Sequence, residues 1–314
     1  MNLKAHLKKN WLEKVFILAV FLFSADSLLA QNIRVVTTIP DLADMTKQIG
    51  KDLVRVESLA KGVENPHGVP MKPSFVPKLN RANLLVVMGL EYEFSWLPGL
   101  LEVASNRQIL LGQPGYVDTS VGVTPIDVPT TFDRAEGDVH PSGNPHYNLD
   151  PVYGKLIARN IANGLVKNFP QHKKVFEKNL ARYTGELDRW IDRWQQLAKP
   201  LKGVKYVSYH KSWGYFADRF GLAGVGTIEL KPGIAPTPAH LVRLVRMMKE
   251  ERVPLILFGP QSKRLPRRLA SETGAKFLHL PIMAGSRSGV ETYIKMIDYN
   301  VRSLVETMSG SGQQ

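Results

Sequence analysis

The sequence predicts an α/β protein of two lobes, each with a mainly parallel sheet flanked by helices, joined by a long rigid helix. Fully apolar runs, at residues 84–88 (LLVVM) and Leu255–Phe258, alternate with helical stretches in both halves, as is typical of buried parallel strands. One helical stretch without an internal proline, residues 171–197, separates the two halves. The chain, with 314 residues, is also long enough for two domains of ordinary size.

The first 30 residues have the pattern of a secretion signal. Lysines at positions 4 to 14 precede a short apolar run, and small residues lead to Ala30. The alternative, a membrane anchor, needs about 20 apolar residues, and this run is shorter. The chain also has no cysteine, so it offers neither a thiolate metal ligand nor a cysteine for lipid attachment. We therefore expect a signal peptide over residues 1–30 and a periplasmic protein without a lipid anchor.

The first lobe is expected over residues 31–170. The predicted elements, in order, are a strand at 33–38, a helix at 40–49, a strand at 54–59, a helix at 75–82, a strand at 84–88, a helix at 96–104 and a strand at 108–111. Residues 114–143 are rich in Pro, Gly, Thr and Asp and predict a loop, and loops of that length are uncommon unless functional or mobile. Asp150 and Pro151 then have the residue types of a helix start.

The linking helix is expected over residues 171–200 and the second lobe over residues 201–314. Apolar residues recur every three or four positions through the linking helix, which would be roughly 40 Å long. The elements predicted for the second lobe are a strand at 205–209, helices at 213–220 and 238–251, a strand at 255–258, a helix at 266–272, a strand at 276–280 and a helix at 290–308.

The formal net charge of +13 raises the question of a nucleic-acid partner. The basic residues are scattered over helical stretches, and neither an RNA-binding aromatic signature nor a zinc-finger spacing is present. The chain also lacks a phosphate-binding Gly-rich motif, so we do not expect it to hydrolyse ATP. We expect a monomer that does not bind nucleic acid.

Three histidines lie where a strand ends or a loop enters a helix. His67 stands in ENPHG, His146 in GNPHY, and His210 follows the strand KYVSY. Ligands of open α/β sheets bind beyond the carboxyl ends of the strands, so we expect the three rings to meet between the lobes. Proline restricts the backbone before His67 and His146, which lowers the entropy lost on binding. Imidazoles suit zinc, copper, nickel or iron, whereas magnesium and calcium prefer oxygen.

The chain resembles the solute-binding proteins of bacterial ABC importers for zinc and manganese. The matching segments are IRVVTTIPDLADMTKQIG, ENPHGVPMKPSFVPKLNRANLLVVMGLEYEFSWL, GNPHYNLDP, YVSYHKSWGYFADRFGL and ETYIKMIDYNV. The resemblance implies metal capture between two lobes and delivery to a membrane permease. His67, His146 and His210 fall on the family's three ligand positions. A histidine at the third position favours Zn²⁺, with Mn²⁺ possible.

The resemblance is incomplete at the fourth ligand. Many members have an acid followed by proline near the last strand, whereas this chain has Leu280 before Pro281. The family's long His-rich loop is reduced here to a loop that carries only His140, whose role is left open. The candidates for the fourth position are water, Glu64, Glu91, Glu93, Glu229 and His279.

Two other functions deserve comparison with zinc transport. A manganese or iron carrier, or an adhesin of the same fold, would share the architecture. A zinc hydrolase would use three histidines and an open position, but no HExxH motif supplies a general base, so we do not expect an enzyme. Because protonated imidazole cannot bind a metal, we expect release as the pH falls through about 6 to 6.5.

Overall fold

The computed structural model of the protein describes residues 32–129, 140–230 and 233–310. The predicted signal peptide lies outside the described residues, as does the part of the predicted loop from 130 to 139. No helix within the described ranges combines the length and the apolar character that crossing a membrane requires.

Two parallel sheets of four strands form the centres of the two halves. The first sheet has the order β2-β1-β3-β4 and the second has the order β6-β5-β7-β8, so both place their first two strands in reversed order. The strands are β1 Ile33–Thr37, β2 Val54–Ser58, β3 Leu84–Val87, β4 Tyr116–Asp118, β5 Lys205–Ser208, β6 Ala223–Thr227, β7 Leu255–Phe258 and β8 Lys276–His279. The predicted apolar strands β3 and β7 are buried throughout and lie inside their sheets, as their composition requires.

Helices flank both sheets and connect them. They are α1 Pro40–Gly50, α2 Phe75–Asn80, α3 Leu97–Val103, α4 Pro151–Asn168, α5 Lys173–Leu197, α6 Gly214–Phe220, α7 Pro238–Glu250, α8 Arg264–Thr273 and α9 Tyr293–Ser309. The linking helix α5 has 25 residues and is therefore about 38 Å long. It buries one face, from Phe176 to Trp194, and packs against α1 and α4 of the first half and α9 of the second. The predicted fold class is thus confirmed.

Two strands were not predicted, and one predicted strand is wrong. Residues 108–111 do not form a strand, because the Asn106 side chain accepts a hydrogen bond from the Gln108 N–H and starts a 3₁₀ turn at Arg107–Ile109. The fourth strand of the first sheet is instead β4, which lies inside the predicted loop. Strand β6 was missed because its sequence, AGVGT, has two glycines and little apolar character.

The apolar interior continues from one half into the other. One cluster of buried residues contains side chains of the first sheet, of α5, of α6 and of α9, and a smaller cluster lies under α7 and α8. Gly154 of α4 lies so close to Tyr293 of α9 that a Cβ there would come within 2.6 Å of the tyrosine Oη. The division at residues 31–170, 171–200 and 201–314 stays a proposal.

Buried polar contacts also join the halves. Asp41 Oδ2, on α1, accepts a hydrogen bond of 3.1 Å from the Ala284 N–H, and Asn148 Nδ2 donates to the Ile282 carbonyl at 3.0 Å. Arg219 donates two hydrogen bonds to the Asp150 carboxylate, at 2.8 and 2.9 Å. These hydrogen bonds connect residues of the first half directly to residues of the second half.

Candidate metal centre

The three predicted histidines meet in the cleft between the two halves. His67 lies in the loop after β2, His146 in the loop between β4 and α4, and His210 directly after β5. One nitrogen from each ring can be chosen so that all three lie within 4.8 Å of one another, and all three residues are buried. The sequence-based expectation that these rings converge therefore agrees with the structure.

The spacing of the nitrogens suits a small ion. The Nε2 atoms of His67 and His146 are 3.0 Å apart. The centroid of the His210 ring lies 5.2 Å from that of His67 and 5.1 Å from that of His146. Zinc bound tetrahedrally at 2.0–2.1 Å from each nitrogen would hold neighbouring nitrogens about 3.4 Å apart. Small side-chain movements would bring the three nitrogens to that separation.

In both Asn-Pro-His segments the asparagine contacts the histidine, and in the second it also contacts the ring. Asn65 Oδ1 accepts a hydrogen bond from the His67 N–H at 3.2 Å, and Asn144 Oδ1 accepts one from the His146 N–H at 3.0 Å. Asn144 Oδ1 also lies 2.9 Å from Nδ1 of the His146 ring. The asparagine thus occupies Nδ1 of His146 and leaves Nε2 free toward the other rings. Asn144 Nδ2 donates to the Lys211 carbonyl at 2.8 Å, which ties this segment to the second half.

His210 is oriented by a carboxylate of the neighbouring loop. Its Nδ1 lies 2.9 Å from Glu229 Oε2, and both side chains are largely buried. A carboxylate on one imidazole nitrogen fixes the ring and makes the other nitrogen a better metal ligand. Glu229 was a candidate for the fourth ligand, but the structure places its carboxylate against Nδ1 of His210.

Burial keeps the rings of His67 and His146 in the neutral, ligand-competent form. Burial lowers the pKa of His67 well below the usual imidazole value, and the neighbouring His210 and His140 lower it further. Burial likewise lowers the pKa of His146 well below that value, helped by the nearby rings of His67, His210 and His140. His67 and His146 therefore offer neutral nitrogen donors to the centre.

Comparison with known proteins decides the family. The family model of the zinc-uptake complex component A periplasmic proteins, ZnuA, matches residues 35–307. The chain belongs to this family.

Individual relatives of this ZnuA-family chain include carriers named for two metals. It is 28% identical to the high-affinity zinc uptake system protein ZnuA of Bacillus subtilis (strain 168), over 91% of this chain and 90% of the relative. It is 25% identical to the manganese ABC transporter substrate-binding lipoprotein PsaA of Streptococcus anginosus, over 90% of this chain and 92% of the relative. A crystal structure of a ZnuA deletion mutant with zinc bound has a TM-score of 0.74 and 26% identity, and the match covers 90% of this chain and 100% of that one.

A fourth histidine of this ZnuA-family chain lies beside His67. The His140 ring centroid lies 4.9 Å from that of His67. Its Nε2 is buried and has no hydrogen-bond partner among the described residues. Burial, assisted by the nearby His210, lowers the pKa of His140 to about 4. Sequence reasoning did not place this residue at the fourth position, although it lies only six residues before His146.

The other fourth-ligand candidates have partners elsewhere. The acids are engaged as follows: Glu64 with Lys72, Glu91 with Ser142, Glu93 with Thr38 and the Met88 N–H, and Glu229 with His210. His279 is exposed and its ring lies against Phe258, with centroids 5.1 Å apart. Leu280, which stands where many family members have an acid, is fully buried. Among the described residues, the group of mutually close ligand atoms contains only His67, His146 and His210, and the structure places the ring of His140, with an unpartnered Nε2, beside His67.

Proposed function

We propose that the protein is an extracytoplasmic solute-binding protein that captures a divalent transition metal, Zn²⁺ by preference, and delivers it to the permease of an ABC importer. The metal ligands are His67, His146 and His210. The observation that carries this proposal is the meeting of these three buried imidazoles from distant parts of the chain. Membership of the zinc-uptake family supports the transport role.

We propose His140 as the fourth ligand. Its unpartnered Nε2 would complete four nitrogens, a set that zinc accepts in tetrahedral geometry. A purely nitrogen set also favours zinc over manganese, because Mn²⁺ lies lower in the Irving–Williams order and suits carboxylate oxygens. Manganese remains the second cargo to test, because a manganese lipoprotein is among the relatives.

The proposal assigns no catalytic step to this centre. A zinc hydrolase keeps one coordination position open for water and places a general base beside it. Here a fourth imidazole lies beside the three proposed ligands, and the carboxylates considered for the site are engaged by other groups. Stoichiometric metal binding without turnover is the expected behaviour.

Competitive titration of the exported form of the protein tests these assignments. Zinc and manganese are titrated against a chelator of known affinity, with single alanine variants at His67, His146, His210 and His140. We expect zinc to bind more tightly than manganese, and each of the first three variants to lose more than about 100-fold in zinc affinity. His172→Ala, on the linking region far along the chain, is the matched control. Unchanged zinc affinity in the three variants would refute the proposed site.

Processing, assembly and delivery are separate parts of the proposal. N-terminal sequencing of the exported protein should find Gln31 first, without a lipid. Sedimentation should show a monomer with and without zinc. Zinc transfer to the reconstituted importer should depend on the three ligand histidines, and a variant lacking His210 should not support it.

A further inference from the structure

The turn after β3 has an unusual backbone. Gly89, Leu90 and Glu91 have φ values of 79°, 50° and 56°, all in the left-handed region. Glycine adopts this region freely, whereas Leu90 and Glu91 carry a Cβ that makes it unfavourable. A glycine at position 91 would relieve this strain, so the glutamate side chain must contribute something that the turn itself does not need.

The Glu91 carboxylate holds the segment that carries His140. Ser142 Oγ donates a hydrogen bond of 2.7 Å to Glu91 Oε1, and the Ser142 N–H donates one of 3.2 Å to Oε2. Both carboxylate oxygens of Glu91 thus accept hydrogen bonds from Ser142, which lies 51 positions away along the chain.

The same glutamate also lies near the His140 ring. Burial and His210 lower the pKa of His140, and the carboxylate charge of Glu91 raises it by a smaller amount. His140 and Ser142 belong to one tight turn, because the Gly143 N–H donates to the His140 carbonyl at 3.0 Å. Fixing Ser142 therefore restrains the backbone from which the His140 ring projects.

We infer that Glu91 is a positioning residue that holds His140 over the metal centre and so sets how tightly, and for how long, the ion is retained. This inference rests on the proposed function. Glu91 does not contribute a metal ligand, since both of its oxygens serve Ser142. An imidazole on a turn that is already fixed loses less entropy when it binds than one on a free segment.

A double-mutant cycle between Glu91 and His140 tests this inference. Glu91→Ala, His140→Ala and the double variant are compared by chelator competition and by the rate of Zn²⁺ dissociation. We expect Glu91→Ala to lower zinc affinity about 10-fold or more, as for other groups that orient a ligand. In the His140→Ala background the same change should have no further effect. Glu102→Ala, an exposed acid on α3, is the control for lost negative charge.

A second variant separates positioning from stability. Glu91→Gly removes the side chain but suits the positive φ, so we expect its melting temperature to equal or exceed that of wild type while its zinc affinity falls as in Glu91→Ala. Ser142→Ala should reproduce part of the affinity loss. Substituted Co²⁺ gives a further readout, because its visible absorption should change toward that of His140→Ala in each of these variants.

Three results would overturn the inference. One is an equal loss of affinity from Glu91→Ala with and without His140. Another is unchanged affinity in Glu91→Ala while His140→Ala weakens binding. The third is unchanged affinity in His140→Ala itself. The third result would also remove His140 as the proposed fourth ligand. None of the three touches metal capture by His67, His146 and His210, which fails only if the variants at those residues keep their zinc affinity.

Discussion

Oε2 of Glu229 lies 2.9 Å from Nδ1 of His210. The two residues follow neighbouring parallel strands, β6 and β5, and the Glu229 N–H also donates to the Tyr209 carbonyl at 2.9 Å. The second sheet therefore presents a histidine and its orienting carboxylate as one unit, with Nε2 of the ring left for the cleft. In the first half Asn144 performs the same task for His146, so the two halves orient these ligands by different chemistry.

Replacing Glu229 should weaken zinc binding without removing a ligand. Glu229→Ala frees Nδ1 of His210 and removes the negative charge that strengthens the ring as a donor. We expect zinc affinity to fall about 10- to 100-fold, measured by chelator competition. Glu272→Ala, an exposed acid paired with Arg268, should leave affinity unchanged. An affinity equal to wild type in Glu229→Ala would mean that His210 is oriented by other contacts.

The two asparagines before the proline-histidine pairs should differ in importance. Asn144 contacts the His146 backbone, the His146 ring and the Lys211 carbonyl, whereas Asn65 accepts one hydrogen bond from the His67 N–H. We therefore expect Asn144→Ala to lower the free energy of unfolding by about 1–3 kcal/mol and zinc affinity by about 10-fold or more. Asn65→Ala is the matched comparison and should have the smaller effect on both. Denaturant unfolding and zinc titration of both variants give the answer, and equal effects would contradict the prediction.

Zinc should stay bound at a lower pH than ordinary imidazoles allow. The expectation from the sequence, release between about pH 6 and 6.5, assumed an unperturbed imidazole. Burial lowers the pKa of His67 and His146 well below 6.5, and that of His140 to about 4. Protons compete with zinc for these three rings near those lower values, so we expect zinc to remain bound at about pH 5.5. Chelator competition as a function of pH measures this.

The same pKa shifts determine how the stability of the zinc-free protein changes with pH. A histidine whose folded pKa is lower than its unfolded pKa contributes stability above about pH 6.5, and this contribution is lost as the pH falls. Circular dichroism must therefore show that the zinc-free protein is still folded at each pH used. Half-release of zinc near pH 6.5 from folded protein would contradict the prediction.

Asp41, which joins the two halves, should make stability depend on pH in the direction opposite to that of the histidines. Burial raises the pKa of Asp41 from 3.8 to about 7, against hydrogen bonds from the Ala284 N–H and Asn148 that lower it. Because the folded pKa is above the unfolded value, the protonated form contributes stability that is lost as the pH rises from about 4 through 7. Relative to Asp41→Asn, wild type should lose up to about 4 kcal/mol over that range.

Denaturant unfolding of both proteins at several pH values tests the role of Asp41. Asp192→Asn, an exposed aspartate on α5, should run parallel to wild type. A constant difference between wild type and Asp41→Asn from pH 4 to 8 would show that Asp41 does not titrate in this range.

Periodicity and strand composition were sufficient for most of the fold. Strands β3 and β7 are continuous apolar runs, and α5 carries a long repeat of buried residues, so each signal is local. Strand β6 has no such signal, because two glycines and its place at the sheet edge remove the apolar pattern. Its position is decided by pairing with β5, which a local pattern does not contain.

The candidate site shows the same division between local and long-range information. Histidines at strand ends pointed to the three convergent rings, because the carboxyl ends of parallel strands share one edge. The position of His140 depends on Glu91 and Ser142, whose contact spans 51 residues. The expectation that an acid could complete the site was reasonable from residue type alone, but ion pairs and hydrogen bonds in the folded chain commit those acids elsewhere.

The interior shared by the two sheets has a consequence for how the molecule comes apart. Side chains of α1, α4 and α9 pack in one apolar cluster, and Tyr293 fills the space above Gly154. Each sheet therefore loses part of its apolar covering once the other is lost, although the second sheet keeps the smaller cluster under α7 and α8. Heating should therefore melt both together in one calorimetric transition, whose enthalpy equals the van't Hoff value, instead of two independent steps.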